Sequence, residues 1–425
     1  MKSIRMGLLL SCLFFCISSV SVCHALPKKV ETVRHAQGEW ELKVDGVPFF
    51  IKGVVYNFAV VGDSPDEQTL RDWSILDLDQ NGKNDLAYDS WVDVNANDIQ
   101  DPDEMAVGDW QLLKDMGANT IRIYQMPSND LRINDLYVYP GSKLTFVHPP
   151  NKEIFRDLEK RFGIMTIIGH FFGEWGIGSD IKWENGTDYS NPQQRKDLLM
   201  NVRVMVEEHK DEPYTLMWLL GNENFNPYDH DNAENQVEAF LTLVNEAAEL
   251  IHEIDPNHPV AICNLDLVNL AEISKLCPAV DIFGLNSYRW GFKEIWKTVK
   301  ETFDRPVFLT EYGFQAKVKH FYDDGAQARY HMDSWKDIED NRFGKNGVGN
   351  SIGGVIFSWC DQWYLGGTPS IHDTGAFMTV SGAEWYGITS QGEGSKSPYM
   401  RQLRKSYLVY KDLWANSKNK GIDLK

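Results

Sequence analysis

Residues 215–223 read TLMWLLGNE, an unbroken apolar run that ends in a polar turn at Gly221. An apolar run of this length, without alternation and closed by a turn residue, is typical of a strand buried on both faces of a parallel sheet. Residues 306–313, PVFLTEYG, repeat the pattern. Because the C-terminal ends of parallel strands line one open face, we expect Glu223 and Glu311 to converge there.

Strand-like and helix-like segments alternate along most of the chain. Apolar residues recur at three- and four-residue steps in helical patterns such as residues 193–209, 232–254 and 327–341. Repeated β-then-α order predicts parallel strands joined by crossover helices, and eight strands close a (β/α)8 TIM barrel of the α/β class. An open doubly wound sheet is the alternative, but no glycine-rich phosphate loop follows the first strand. The eight predicted strands are residues 49–56, 119–125, 164–171, 215–223, 259–264, 281–288, 306–313 and 353–359.

The sequence also predicts what surrounds the barrel. A short N-terminal β-hairpin turns at Asp45 and Gly46, a pair typical of tight hairpin turns. Two long loops, residues 63–104 after the first strand and 366–397 after the eighth, are expected at the rim of the C-terminal face. A barrel with such insertions accommodates residues 26–425 as a single domain.

The N-terminus has the features of an export signal. Lys2 and Arg5 precede an apolar stretch that runs to about residue 22, and the small residue Ala25 follows. This order predicts a cleaved signal peptide at residues 1–25 and a secreted or periplasmic protein. A membrane anchor is the alternative, but the stretch is short and rich in serine, and no later segment is predicted to span a membrane. A lipoprotein signal needs cleavage just before a cysteine, which suits Cys12 and Cys23 poorly.

Composition narrows the class of ligand. The chain has 61 Asp and Glu against 42 Lys and Arg, a formal net charge of −19. Such a chain is a poor candidate for binding nucleic acid or anionic lipid, and its 14 tryptophans and 17 tyrosines fit better with a neutral, carbohydrate-like ligand. Three cysteines follow the signal. Cys263 and Cys277 could form a disulfide, although a buried free thiol suits the apolar strand around Cys263 equally well.

Residues 63–104 form an acidic insertion with 13 Asp or Glu against 2 Lys or Arg. Acids packed this densely repel one another unless a counter-ion is present. Their spacing matches that of calcium loops twice, with oxygen-bearing side chains at positions 1, 3, 5 and 9 and a main-chain carbonyl at position 7. The predicted ligands are Asp77, Asp79, Asn81, Lys83 and Asp85 in the first loop, and Asp93, Asn95, Asn97, Ile99, Asp101 and Glu104 in the second.

The two loops depart from this pattern differently. The second has Glu104 at position 12, suitable for bidentate ligation, but Asp98 replaces the usual glycine at position 6. The first keeps Gly82 at position 6 but has Tyr88 at position 12, with Asp89 one residue later. By sequence the first loop is therefore the weaker site. We expect Ca²⁺ here to be structural, with no cofactor for catalysis; a solvated acidic loop is the alternative.

The two strand-end glutamates suggest a reaction. Glycoside hydrolysis with retention needs one carboxylic acid to protonate the leaving oxygen and a second, ionised carboxylate to attack the anomeric carbon. Glu223 and Glu311 are the predicted catalytic pair. A single glutamate at a strand end is more often a hydrogen-bonded or salt-bridged residue, so the hypothesis depends on the pair and its neighbours.

Around these residues the chain resembles the clan A (4/7 superfamily) retaining glycoside hydrolases. Asn222 and Glu223 after the fourth strand, with Glu311 after the seventh, resemble the acid/base and nucleophile motifs of that clan. The first-strand region, DGVPFFIKGV at residues 45–54, resembles that of family 2 TIM-barrel catalytic domains and of family 72 β-1,3-glucanosyltransferases. LKDMGANTIR at residues 113–122 and GLNSYRW at residues 284–290 resemble their second and sixth strands.

The resemblance implies a role for each residue. Glu223 would act as general acid and then base, and Glu311 as the nucleophile. Asn222 would bind the sugar 2-hydroxyl, a hydrogen bond that strengthens at the transition state. Arg122 and Tyr288 would hold Glu311 ionised by charge and hydrogen bonding.

Two further residues are candidates for substrate contact. Trp359, which ends the eighth strand, is placed to stack on the apolar face of a sugar ring, with packing in the core as the alternative. His170, after the third strand, is placed to hydrogen-bond the substrate or only its neighbours. His331 and Trp335 fall on one face of a predicted helix and are expected to pack.

The sequence therefore favours a retaining β-glycosidase acting on an oligo- or polysaccharide. Transglycosylation by a β-glucanosyltransferase using the same two glutamates is one alternative, and a catalytically silent glycan-binding protein on the same barrel is another. A metallohydrolase is disfavoured because the sequence has no HExxH motif or histidine cluster.

Overall fold

The computed structural model describes residues 27–138, 142–182, 185–227, 232–318, 321–365, 367–372 and 383–415. The predicted signal peptide, residues 1–25, lies outside these ranges. Among the described residues no helix has the length and apolar character that crossing a membrane requires.

Eight parallel strands form a closed barrel in which each strand pairs with the next along the chain and the eighth with the first. The predicted TIM barrel is confirmed. Each predicted segment overlaps one observed strand, with ends that differ by at most three residues. The strands are Ile51–Val55, Thr120–Ile123, Met165–His170, Thr215–Leu220, Val260–Leu265, Ile282–Asn286, Val307–Tyr312 and Ser351–Ile356.

A helix follows each strand and covers the outside of the barrel. Pro192–His209 begins where Asn191 accepts hydrogen bonds from the Gln193 and Gln194 amides, with proline at the first helical position. The helix predicted from residue 232 begins five residues later, because Asn232 has a positive φ and a separate short turn precedes Val237. The eight helices are Asp109–Met116, Lys152–Asp157, Pro192–His209, Val237–Ile254, Leu270–Leu276, Lys293–Thr302, Asp324–Asp340 and Lys405–Tyr410.

The apolar core has two layers. The inner layer fills the barrel with side chains such as Ile51, Ile167 and Leu219, and the outer layer lies between strands and helices. His331 and Trp335 of Asp324–Asp340 are buried in the outer layer against Tyr410, as predicted for packing residues. Cys263, Cys277 and Cys360, the cysteines of the described part of the chain, are buried free thiols.

Two additions flank the barrel. At the N-terminus Trp40–Val44 pairs antiparallel with Val30–Arg34 and with Val47–Pro48, and Asp45 and Gly46 between the last two strands have positive φ. The acidic insertion contains the short helix Asp85–Asp89 and the strand Trp91–Val92, which pairs in parallel with Met400–Leu403. The insertion is therefore joined to the C-terminal segment.

Because two histidines are buried in the fold, we expect the free energy of unfolding to fall as the pH is lowered. Burial lowers the pKa of His209 and of His331 to about 3, and each Nδ1 lies within hydrogen-bonding distance of a tyrosine hydroxyl. Both histidines take up a proton near pH 6.5 when unfolded but resist it when folded, so stability is lost as pH falls from about 6.5 towards 3. We expect His331→Gln to flatten this dependence relative to wild type in thermal melts between pH 7 and 4. His35→Gln, at a partly exposed position, serves as the control, and an equal slope in all three proteins contradicts the prediction.

Candidate active site

The seventh barrel strand presents Glu311 to the interior through a break in register. Leu285 of the sixth strand pairs with Leu309, whereas the next residue, Asn286, pairs with Glu311. One extra residue, Thr310, is thus accommodated, and such a bulge redirects side chains. Thr310 Oγ1 donates to Asn286 Oδ1 at 2.6 Å while Glu311 reaches the open end of the barrel.

Glu311 accepts three hydrogen bonds from the barrel. Arg122 Nη1 and the Tyr124 hydroxyl donate to Oε1 at 2.8 and 2.5 Å, and the Tyr288 hydroxyl donates to Oε2 at 2.6 Å. Arg122 is 1% exposed, so this ion pair is shielded from water. Charge-assisted hydrogen bonds of this kind hold the carboxylate in one orientation.

Asn222 and Glu223 lie in the turn that follows the fourth barrel strand. Gly221 and Glu223 both have positive φ, which turns the chain sharply and carries Glu223 to the same open end. The Glu223 amide donates to the carbonyl of Cys263 at 3.1 Å, fixing the turn to the fifth strand. Asn222 Oδ1 accepts from Arg122 Nη2 at 2.8 Å, so one guanidinium connects the asparagine to Glu311.

The thiol of Cys263 is close enough to both predicted catalytic acids for their charges to affect its pKa. Burial raises its pKa to about 11; the positive charge of Arg122 opposes this, while the negative charges of Glu311 and Glu223 add to it. Its sulfur is 3.3 Å from Arg122 Nη2. Both carboxylates therefore act on one buried group, as expected when two strand ends meet in one site.

His170 is buried beneath this site. Its Nδ1 accepts from the Phe172 amide at 2.9 Å, and burial lowers its pKa to about 4. Gly178 packs so closely over the ring that a Cβ there would come within 2.8 Å of Cε1 and 3.3 Å of Nε2. Gly178 thus lies against this edge of the ring, and direct substrate contact by His170 stays a prediction.

Trp359 also lies in the core rather than in the cleft. It is 1% exposed and packs edge-on against Tyr407 of the last helix. The eighth strand instead brings Phe357 to the site, where its ring contacts Tyr288 and Tyr386. The predicted stacking role of Trp359 is therefore wrong. Its ring packs in the core against Tyr407, whereas the Phe357 ring lies at the site beside Tyr288.

Tyr124 and Asn286 near the pair were missed in the sequence, and the contact of Glu174 with Asn222 was not predicted. Tyr124 follows Arg122 by two positions, so strand alternation alone places both on one face. Asn286 donates from Nδ2 to Asn222 Oδ1 at 3.2 Å, and the buried Glu174 accepts from Asn222 Nδ2 at 3.3 Å. Glu174 lies in a loop without periodicity, and no sequence signal indicated its contact.

Tyr124→Phe is expected to lower kcat/KM by about 10- to 100-fold, because it removes a hydrogen bond to a charged oxygen worth about 1.5–3 kcal/mol. The measurement is steady-state kinetics on an activated aryl glycoside. Tyr407→Phe removes a buried hydroxyl that donates to the Leu112 carbonyl away from the site, and should leave kcat/KM unchanged. Equal losses in the two variants would show a general packing effect.

Both predicted calcium loops adopt the same turn. Asp77 Oδ1 accepts from the Asn81 amide at 3.0 Å, and Asp93 Oδ1 accepts from the Asn97 amide at 3.2 Å. Glu104 accepts from the Val94 amide at 2.7 Å and closes the second loop. Calcium binding stays a prediction at this point. The other predicted ligands of these two turns are Asp79, Lys83, Asp85, Asn95, Ile99 and Asp101.

Comparison with known families agrees with this geometry. Residues 144–332 match the TIM barrel domain of family 2 of the glycosyl hydrolases. The match covers the third to seventh strands and so includes both Glu223 and Glu311. The family 2 part of the predicted resemblance is supported, whereas the wider resemblance to clan A and to family 72 stays a prediction.

Two curated relatives of this chain are β-glucuronidases by name. The beta-glucuronidase of Streptococcus agalactiae is 24% identical over 225 residues, which cover 48% of this chain and 32% of the relative. The putative beta-glucuronidase of Formosa agariphila is 21% identical over 239 residues, 54% of this chain and 23% of the relative. This chain thus spans a third or less of the relatives it matches.

Solved structures share the fold. The β-glucuronidase of Bacteroides uniformis superposes with a TM-score of 0.55 at 14% identity, covering 92% of this chain and 38% of that chain. A family 2 β-galacturonidase of Eisenbergiella tayi, solved with galacturonate, superposes with a TM-score of 0.52 at 16% identity, covering 92% and 54%. At these identities the likeness establishes the barrel and nothing finer.

Proposed function

We propose that this chain is a retaining glycoside hydrolase that cleaves β-linked glycans by double displacement. The observation that carries the proposal is the set of three donors, Arg122, Tyr124 and Tyr288, on the two oxygens of Glu311. They fix the position of the carboxylate that would attack an anomeric carbon. A binding protein has no need of a buried acid held in this way beside a second one.

In the first step a Glu311 oxygen bonds to the anomeric carbon as the bond to the leaving oxygen breaks, and Glu223 gives its proton to that oxygen. In the second step Glu223 takes a proton from water, whose oxygen attacks the same carbon and displaces Glu311. Asn222, fixed by Arg122, is proposed to bind the 2-hydroxyl of the sugar. The protein's own groups supply the acid, base and nucleophile of both steps.

The names of the matched proteins suggest which class of sugar the enzyme would act on. The matched proteins are named for glucuronides and, in one structure, galacturonides. A Bacteroides uniformis β-glucuronidase was solved covalently bound to cyclophellitol-6-carboxylate aziridine. We therefore propose a β-linked hexopyranoside with a hexuronide as the first candidate.

The test is intact-protein mass spectrometry after exposure to cyclophellitol aziridines with and without the 6-carboxylate, followed by peptide mapping. A single adduct on Glu311 supports the retaining mechanism, and the probe that reacts faster identifies the sugar class. An adduct elsewhere, or none with these probes or with 2-deoxy-2-fluoro glycosides, contradicts it. Tyr288→Phe is the matched variant, expected to label more slowly because Glu311 loses a donor.

Glycosyl transfer to a second sugar would use the same two glutamates as hydrolysis. It differs from hydrolysis only in that the acceptor is a sugar and not water. The comparisons include no transferase among the relatives described above, so hydrolysis is the proposal we favour. Product analysis with excess acceptor sugar separates the two. Secretion or export to the periplasm is proposed from residues 1–25 alone, and the N-terminal residue of the mature protein tests it.

A further inference from the structure

The first acidic loop gathers three carboxylates at one point. One oxygen each of Asp77, Asp79 and Asp85 lies within 4.8 Å of the other two. The turn is held by its own backbone, since Asp77 accepts from the Asn81 and Gly82 amides at 3.0 Å each. Such a turn positions the carboxylates but does not neutralise them.

Asp85 provides a second and independent observation. It is fully buried, and its Oδ2 accepts from the Leu78 amide at 2.9 Å. Its Oδ1 is also buried but accepts no hydrogen bond from any residue that the structure describes. The Tyr399 hydroxyl lies beside Asp85 but has no positive charge to offset a carboxylate, and burial raises the pKa of Tyr399 to about 12. A buried carboxylate oxygen without a partner is unfavourable, and a bound cation would supply the missing partner.

Lys83 does not fill this role. Lys83 is the basic residue of the turn, but its ammonium lies 3.7 Å from Asp89 and 63% of its side chain is exposed. A lysine in that position neutralises Asp89 weakly, because water screens exposed pairs. Among the described residues Lys83 forms no ion pair with Asp85, so this lysine leaves the buried oxygen of Asp85 without a partner.

Asp89 is a further candidate ligand of the first loop. The first loop was predicted to be the weaker because Tyr88 occupies position 12. Tyr88 instead donates to Asp157 at 2.6 Å, outside the turn. Asp89 turns back, and its Oδ2 accepts from Asn81 Nδ2 at 2.9 Å. One additional residue in the helix Asp85–Asp89 therefore brings a closing carboxylate to the loop.

We propose that the first loop is a binding site for a divalent cation of the calcium type, with Asp77, Asp79, Asp85 and Asp89 as its carboxylate ligands. Carboxylate and carbonyl oxygens in a flexible loop suit Ca²⁺, which accepts six to eight oxygens, better than Mg²⁺, which demands a strict octahedron. The site does not depend on the proposed glycosidase activity.

The ion is placed to stabilise the rim of the barrel. The strand Trp91–Val92 follows the loop, and the Trp91 amide donates to the Tyr399 carbonyl at 2.8 Å. Arg401 next to it forms a buried bidentate pair with Asp109, both contacts at 2.9 Å, and Tyr56 at the end of the first strand donates to the same carboxylate at 2.7 Å. Ordering the loop thus fixes the insertion to the C-terminal segment and the barrel.

The test is calorimetric titration of CaCl₂ into chelator-treated full-length protein, with MgCl₂ in parallel. We expect saturable Ca²⁺ binding with Kd between about 10⁻⁶ and 10⁻³ M, weaker Mg²⁺ binding, and a melting temperature that rises with calcium. Asp85→Asn should weaken binding at least about 10-fold. Asp79→Asn, at an exposed position, gives the same test should the buried variant fail to fold.

Asp103→Asn is the matched control, because it removes an exposed acid from the same insertion and should leave the affinity within about twofold. Two results would overturn the proposal. The first is no saturable calcium binding by wild type. The second is calcium binding that is unchanged in both Asp79→Asn and Asp85→Asn. If Asp93→Asn then abolishes that binding, the ion lies in the second loop. Activity is not measured, so failure here is distinct from failure of the glycosidase proposal.

Discussion

Glu311→Gln is expected to lower kcat by at least about 10⁴-fold, because it removes the nucleophile while keeping the size and one acceptor oxygen of the side chain. The structure favours glutamine over alanine as the first variant. Arg122 is buried, and losing its partner altogether would leave an uncompensated charge costing about 3–5 kcal/mol. The measurement is steady-state kinetics, with circular dichroism and thermal melts to verify folding.

Azide separates loss of the nucleophile from loss of structure. In Glu311→Ala the vacated space admits azide, which attacks the anomeric carbon directly and gives an inverted α-glycosyl azide. Glu301→Ala is the control, since this glutamate is exposed on a helix and should retain wild-type kinetics. Retention of more than about a tenth of wild-type activity by Glu311→Gln would exclude Glu311 as the nucleophile.

Glu223→Ala is expected to have an effect that depends on the leaving group. For alkyl or sugar leaving groups kcat/KM should fall by about 10²–10⁴-fold, the usual contribution of a general acid. For dinitrophenyl glycosides the first step needs no proton, so kcat/KM should change little and the glycosyl-enzyme should accumulate. Azide should then accelerate turnover and give a β-glycosyl azide, because it attacks the intermediate from the opposite face to Glu311.

A leaving-group series is the internal control for this variant. Wild type and Glu223→Ala are compared on the same glycosides, and the dependence of log kcat/KM on leaving-group pKa should be steeper in the variant. A parallel loss for all leaving groups would indicate a structural role for Glu223. A β-azide from Glu311→Ala and an α-azide from Glu223→Ala would reverse the assignment of the two glutamates.

The strands and their order were predictable because each is a short apolar run closed by a turn, as at residues 215–223 and 306–313. Parallel strands joined by helices then leave one arrangement in which Glu223 and Glu311 share a face. Arg122 and Tyr288 were predicted to contact Glu311, and both lie within hydrogen-bonding distance of it. Their catalytic roles remain proposals.

The errors have a common physical origin. Trp359 was assigned to the cleft from its position at a strand end, but side-chain direction there depends on local register, and its ring packs in the core. Tyr88 occupies position 12 of the first calcium loop in the sequence, whereas in the structure it contacts Asp157, 69 residues away, and Asp89 contacts Asn81.

By itself the sequence determined the barrel, the face on which the two glutamates meet and the two acidic turns, since each follows from local periodicity and spacing. Only the tertiary structure decided the rest: the bulge that redirects Glu311, the Tyr124 hydroxyl on its oxygen, and the buried oxygen of Asp85. These depend on the register of neighbouring strands and on contacts between residues far apart in the chain. No local pattern encodes them, because each is set by which distant side chain occupies the adjoining space.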